Sequence, residues 1–180
     1  MKQTTFGKFS WKVISLHMIT YVITGMIFST LFNYPELYKT GNLATFMKDF
    51  SSPWIPAGPA LQLFRGLLFA FVLWPFYDFI FNKENGWAVL WLLLFGIGII
   101  GTAGPAPGSL EGIIYTKLTF SEHLIGLPEV MLQTLLFSVL LFKWTQYRRQ
   151  YLTTISIMAV LLIILMSVLG VLDNKGILNY

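Results

Sequence analysis

Residues 151–172 read YLTTISIMAVLLIILMSVLGVL, a run in which the only polar side-chain groups are hydroxyls. An α-helix rises ~1.5 Å per residue, so about 20 apolar residues cross the ~30 Å hydrocarbon layer of a bilayer. Four other stretches have the same character, and together the predicted spans are 12–32, 61–81, 87–104, 127–144 and 151–172. This repetition predicts an all-α integral membrane protein built as a bundle of five transmembrane helices.

The composition of the whole chain agrees with this class of protein. Hydrophobic residues make up 56% of the sequence and charged residues 11%, and the mean hydropathy is +0.68. A soluble domain usually carries ~25% charged residues. The spans leave no room for a separate soluble domain, so we expect residues 1–180 to form a single bundle. The chain has no cysteine, which excludes disulfides, thiolate nucleophiles and iron–sulfur clusters.

The first apolar run follows several lysines, as the apolar region of a signal peptide does. Such a region is ~7–15 residues long and ends at a small-residue cleavage site. Here the run from Val13 to Phe32 is longer, and the following Asn33-Tyr34-Pro35 does not resemble a cleavage site. We therefore expect an uncleaved first helix.

The distribution of lysine and arginine predicts the orientation, because these residues are enriched in cytoplasmic loops. With the N-terminus inside, the inner side holds Lys2, Lys8, Lys12, Lys83, Lys143, Arg148 and Arg149. The outer side then holds Lys39, Lys48, Lys117 and Lys175. The bias favours an N-inside, C-outside, multi-pass protein of a cell's inner or plasma membrane. Because the basic residues sit at helix ends, the net charge of +4 gives no indication of nucleic-acid binding.

The connections between the predicted spans differ in length. The inner connections, around 81–86 and 143–150, are tight turns, whereas the outer connections, 33–60 and 105–126, are long. Both outer loops contain aromatic residues and prolines, and Ser109 is a good N-cap for a short helix. We expect two structured outer loops lying on the membrane surface, and functional residues tend to lie on such loops.

Two ionisable residues, Arg65 and Glu129, lie within predicted spans near the outer side. An ionisable side chain at the centre of a membrane helix costs about 2.5–3.5 kcal/mol, so it is expected to be paired or functional. In a helix continuous from Ser121, four residues would form one stripe: Glu122, Gly126, Glu129 and Gln133. The sequence therefore predicts a ligand pocket beneath the outer loops made by Arg65, Gln62, Glu111, Glu129 and Gln133, with Glu122 and His123 nearby.

Structural alternatives for these residues stay open. Arg65 could extend to the outer head groups or pair with Glu129 or Glu111 to fix helix packing. An isolated His123 is more typical of a water-exposed interfacial residue than of a catalytic one. The H-E-x-x-H and C-x-x-C patterns are absent, and His17 and His123 fall at opposite surfaces. We therefore expect neither a zinc site nor a b-type haem, and no cofactor.

Residues 96–101, GIGIIG, match the dinucleotide-binding pattern G-x-G-x-x-G but lie inside the third predicted span. Without a surrounding βαβ unit, that interpretation fails. Small residues let membrane helices approach closely. The sequence thus predicts helix packing through Gly98, Gly101, Thr102 and Gly104, with the third helix central in the bundle. The fifth helix, apolar on all sides, is expected at the periphery.

Three classes of function follow. The first, which the sequence favours, is an accessory or assembly subunit that binds partner membrane proteins or oligomerises. The second is binding or transport of a small anionic or amphipathic solute or lipid in the outer pocket. The third and least favoured is an intramembrane enzyme that acts on a lipid-linked substrate, with Glu122, His123 and Glu129 as acid–base candidates. The expected partners are membrane lipids, membrane proteins or a second copy of the chain, and not nucleic acid.

Overall fold

Helices are the only regular secondary structure in the part of the chain that the computed structural model describes, residues 4–147 and 149–178. The long elements are α1 (Phe6–Leu31), α4 (Trp54–Leu73), α9 (Leu127–Gln146) and α10 (Gln150–Asn174). A 3₁₀ turn (Trp74–Phe76) continues α4 into α5 (Tyr77–Phe81). The short elements are α2 (Tyr34–Leu37), α3 (Leu43–Phe46), α6 (Gly86–Trp91) with a π-helical segment (Leu92–Ile100), α7 (Leu110–Tyr115) and α8 (Phe120–Ile125). Lys2 and Arg148, which the orientation argument uses, lie outside the described residues.

Four helical stretches are long and apolar enough to cross a membrane: Phe6–Leu31, Trp54–Phe81, Phe120–Gln146 and Gln150–Asn174. Their length and composition fit a membrane protein. The third predicted span, 87–104, is the exception, because α6 contributes six α-helical residues and the π-helical segment only nine. At ~1.5 Å per residue this stretch reaches at most about 22 Å, short of the ~30 Å hydrocarbon layer.

The two ends of the bundle differ in character. At one end, the side chain of Gln146 donates a hydrogen bond to the carbonyl of Phe81, and Lys12 Nζ donates to the carbonyl of Trp144 at 3.0 Å. We call this the basic end, since its described cations are Lys8, Lys12, Lys83, Lys143 and Arg149. The other end, the loop end, carries α2, α3, α7 and α8. The apolar helices therefore run antiparallel to their neighbours in sequence, as in an up-and-down bundle.

The central helix is α1, not the third helix that the sequence predicted. Of the four long apolar stretches α1 is the most buried, with 44% of its most apolar window inside, and it contacts α4, α9 and α10. The corresponding fraction is 17% for α10, which confirms the predicted peripheral position of the fifth helix.

Buried hydroxyl groups along α1 are satisfied within the helix itself. Ser10, Ser15, Thr20 and Thr24 each donate to the carbonyl four residues earlier, at 2.7–2.9 Å. A hydroxyl that bonds the preceding turn leaves no unpaired polar group in apolar surroundings. This lets a central helix with several polar residues pack against apolar neighbours.

The close helix contacts occur at glycines other than the predicted ones. A Cβ added at Gly66 of α4 would lie 2.8 Å from the Cα of Ile14 on α1, and one at Gly170 of α10 would lie 2.7 Å from Pro56 of α4. At Gly104 such an atom meets nothing within 4 Å, whereas at Gly98 and Gly101 the nearest atoms belong to the same segment. Within the described chain, no second helix therefore approaches closely at Gly98, Gly101 or Gly104, and packing through Thr102 stays a prediction.

Candidate functional site

A cavity of about 400 Å³ lies at the loop end, covered by both long loops. It is lined by Tyr34, Leu37, Tyr38, Leu43, Met47, Arg65, Gly98, Ile99, Thr102, Ala106, Pro107, Glu122, Ile125, Gly126, Glu129 and Val130. We call it the loop-end cavity. Its volume lies within the range of small-molecule sites, and its walls combine apolar side chains with a few polar ones, as such sites do.

Glu129 is the carboxylate at the end of α9 nearest the cavity. The phenol of Tyr34 donates a 2.6 Å hydrogen bond to its Oε2. Such a length is typical of a bond from a hydroxyl to a carboxylate. Burial, together with this hydrogen bond, raises the pKa of Tyr34, so the phenol keeps its proton and stays the donor. Glu129 stands in the first turn of α9, so its carboxyl group lies at the end of the helix that faces the cavity.

Aromatic side chains from the first long loop form one wall beside Glu129. The rings of Tyr34 and Tyr38 stack with centroids 5.2 Å apart, and Tyr38 lies 5.5 Å from Phe50. Burial, with the nearby charge of Glu129, raises the pKa of Tyr38 to about 12. Both phenols therefore stay neutral at physiological pH and offer hydroxyl groups rather than charges.

Arg65 is the cation of the loop-end cavity. It lies three turns into α4, is exposed, and has its guanidinium carbon 5.4 Å from the ring centroid of Phe69. Among the described residues, no carboxylate oxygen lies within 4.0 Å of the Arg65 guanidinium. The ion pair that these residues do form at this distance joins Lys39 to Glu36. The predicted alternative in which Arg65 pairs with Glu129 or Glu111 is therefore wrong for this structure. Its five N–H donors are left for another partner.

Glu122 joins the two long loops. Its carboxylate accepts from the backbone and side chain of Asn42, both at 3.1 Å, and from the backbone N–H of Thr119 at 2.6 Å. With Thr119 it forms a capping box at the start of α8. The N-cap is thus Thr119 rather than Ser121. The predicted continuous helix is also interrupted, because α8 ends at Ile125 and α9 begins at Leu127. Glu122 thus holds the two long loops together through its hydrogen bonds to Asn42 and Thr119.

Among the predicted site residues, His123 has the environment that differs most from the predicted one. It is 2% exposed, where the sequence favoured an interfacial residue in water. Its Nδ1 accepts from the backbone N–H of Gly108 at 3.1 Å, and its Nε2 lies 3.3 Å from the hydroxyl of Thr116. Gly108 has φ +82°, a conformation that favours glycine, so the backbone can turn and aim its N–H at the ring. His123 therefore organises the second long loop from within.

The remaining predicted pocket residues do not line the loop-end cavity. Gln62 instead pairs with His17, at 3.0 Å from Oε1 to Nε2. Gln133 is buried in α9, and Glu111 lies in the first turn of α7, whose N-cap is Ser109 as predicted. The structure thus brings Arg65, Glu122 and Glu129 together and adds the phenols of Tyr34 and Tyr38 from the first long loop.

The His17–Gln62 pair was missed because α4 begins earlier than expected. The sequence interpretation treated the prolines after position 52 as loop residues and began the span at 61, which put Gln62 at the surface. In the structure α4 begins at Trp54 and accommodates Pro59 inside the helix. Gln62 therefore lies deep enough to meet His17 on the antiparallel α1.

The chemistry available in the loop-end cavity is recognition by charge and hydrogen bonds. A partly apolar space is surrounded by three charged or polar groups. They are a guanidinium with no carboxylate partner among the described residues, a carboxyl group bonded to a phenol, and a carboxylate bonded to both long loops. Within the described residues, no three His, Asp or Glu side chains are placed to hold a metal ion. No protein-family model, curated protein or solved structure shows a significant match to this chain.

Proposed function

We propose that the loop-end cavity binds an amphipathic molecule with an anionic group in its head, anchored by Arg65. The observation that carries this proposal is a guanidinium that lines a cavity of about 400 Å³ and has no carboxylate within 4.0 Å in the described chain. An arginine held without a counter-ion in a span is costly, so a ligand that supplies the anion would be bound favourably.

The other walls fit the rest of such a molecule. Leu37, Leu43, Met47, Ile99 and Val130 offer apolar contacts for a hydrocarbon tail. The carboxylate of Glu129 accepts hydrogen bonds, so a head group that also carries a donor would match the site better than a simple anion. Both long loops cover the cavity, and the hydrogen bonds that Glu122 accepts from each loop keep them together. The proposed function is thus binding or transport of a small anionic amphiphile.

Titration with decanoate, and with decanol as the uncharged counterpart, tests this proposal. Binding is measured by the shift in thermal unfolding of the full chain in zwitterionic nanodiscs. We expect decanoate to bind more tightly than decanol. Because a hydrogen bond to a charged group contributes about 1.5–3 kcal/mol, Arg65→Gln should weaken decanoate binding by about 10- to 100-fold.

Lys117→Gln is the matched control, since it removes one cation from an exposed position of the second long loop that does not line the cavity. Its decanoate affinity should equal that of the wild type. If folded Arg65→Gln bound decanoate as tightly as the wild type, Arg65 would not be the group that holds the anion.

We also propose that the stretch from Gly86 to Ile100, with the following residues 101–104, completes a fifth crossing. The loop end would then face outside and the basic end inside. The antiparallel arrangement of the helices and the five described cations of the basic end support this orientation.

Because the chain has no cysteine, single-cysteine labelling tests the topology directly. Lys117→Cys should react with an impermeant maleimide added to intact cells, whereas Glu84→Cys should react only after permeabilisation. Labelling of both positions from the same side would contradict five crossings. The accessory or assembly role and the enzymatic alternative stay predictions of the sequence.

A further inference from the structure

A second cavity, of about 340 Å³, opens at the basic end between α1, α9 and α10. We call it the basic-end cavity. It shares no lining residue with the loop-end cavity and lies at the opposite end of the bundle. What it binds is therefore independent of the proposed function.

Two cations line the basic-end cavity. Lys143 lies in the last turn of α9, and Arg149 lies directly before α10. Both are exposed, and neither has a carboxylate within 4.0 Å among the residues that the structure describes. The carboxylates of this end, Asp78 and Glu84, do not line the cavity. Two unneutralised cations at one opening repel each other, and an anion that contacts both relieves that repulsion.

Aromatic side chains surround the same opening. Trp144, Tyr147 and Tyr151 line the cavity, and the guanidinium of Arg149 donates to the hydroxyl of Tyr151 at 3.4 Å. Trp and Tyr concentrate at the membrane–water interface, where the polar head groups lie. The cations therefore stand at the depth at which a lipid presents its phosphate.

The inner part of the cavity is mostly apolar, formed by Leu16 and Ile19 of α1, Leu140 of α9, and Leu152 and Ile155 of α10. Ser156 also lines it, but its hydroxyl is already bonded to the indole N–H of Trp11 and the carbonyl of Thr153. The apolar side chains continue from the cations along the helices toward the hydrocarbon layer. A free anion would contact only the opening, whereas a lipid would fill both parts of the cavity.

We propose that the basic-end cavity is a binding site for an anionic phospholipid. Lys143 and Arg149 hold the phosphate, and an acyl chain lies along the apolar surface between α1 and α10. Basic pockets between membrane helices bind anionic lipid head groups in this way, and the planar guanidinium pairs well with phosphate oxygens. The site would select anionic over zwitterionic lipids.

Native mass spectrometry of the full chain in detergent tests this site with three probes: phosphatidylglycerol, phosphatidylcholine and inorganic phosphate. We expect phosphatidylglycerol to be retained and the other two to be lost. Because each basic residue near a membrane surface contributes about fivefold to anionic-lipid binding, the double variant Lys143→Gln/Arg149→Gln should bind about 25-fold more weakly. Ile155→Trp, which fills the apolar part without altering charge, should also weaken lipid binding.

Lys83→Gln is the control, because Lys83 belongs to the same end but lies over the ring of Phe79 and does not line the cavity. It should bind phosphatidylglycerol as the wild type does. Unchanged lipid binding by the double variant would overturn the proposal. So would retention of inorganic phosphate at equal affinity with no effect of Ile155→Trp, since the ligand would then be a free phosphate.

Discussion

Replacing Gly66 by alanine is expected to lower the free energy of unfolding by about 1–3 kcal/mol, the usual cost of overpacking a tight core. The added Cβ would lie 2.8 Å from the Cα of Ile14, so relief requires α1 and α4 to move apart. These two helices form an extensive contact, and α1 is the central helix of the bundle. The clash is therefore transmitted to the packing of α1 against its other neighbours.

Gly7→Ala is the matched substitution, because a Cβ at Gly7 meets nothing within 4 Å on a helix of the same bundle. Alanine is intrinsically favoured over glycine in helices by up to about 1 kcal/mol. Gly7→Ala should thus be neutral or slightly stabilising. Thermal unfolding of both variants in the same detergent, followed by circular dichroism, checks the pair. Equal stability of Gly66→Ala and Gly7→Ala would show that α1 and α4 are not in close contact at this glycine.

The glycines also show which part of the fold the sequence can predict. Apolar length alone located the long helices, because a run that can cross a bilayer is a property of consecutive residues. Helix partners depend on which surfaces meet. The pattern GIGIIG was more conspicuous than the isolated Gly66, yet Gly66 makes the close contact. The spacing of glycines along one helix does not show which other helix packs against them.

The candidate site was predictable in part for a similar reason. Arg65 and Glu129 could be brought to one region because ionisable residues are rare in apolar spans and both lay near the same surface. The hydrogen bond from Tyr34 to Glu129 joins residues far apart in sequence, and no local pattern indicates it. His123 was misjudged because its partners, Gly108 and Thr116, are set by the folded shape of the loop.

The pair formed by the buried His17 and the partly buried Gln62 gives the second large expected effect. His17 is 2% exposed and its Nε2 lies 3.0 Å from Oε1 of Gln62. His17→Phe leaves Gln62 without this partner, and Gln62→Met leaves the imidazole without it. A buried polar group left unsatisfied costs about 1–3 kcal/mol, so each single variant should be destabilised by about that amount.

The double variant His17→Phe/Gln62→Met removes both polar groups at once and replaces them with apolar side chains of similar size. Its loss of stability should be smaller than the sum of the two single losses by about 0.6 kcal/mol and by no more than about 1.7 kcal/mol, the average and the maximum measured for hydrogen bonds between membrane helices. Thermal unfolding of the four proteins in one detergent gives this coupling energy, and strict additivity would mean that the two side chains do not interact. Because Arg65 lies three residues after Gln62 on α4, a pair that fixes the rotation of α4 against α1 also fixes the direction in which the guanidinium leaves the helix. The polar contact in the core and the cation of the loop-end cavity are thus expected to depend on the same helix orientation.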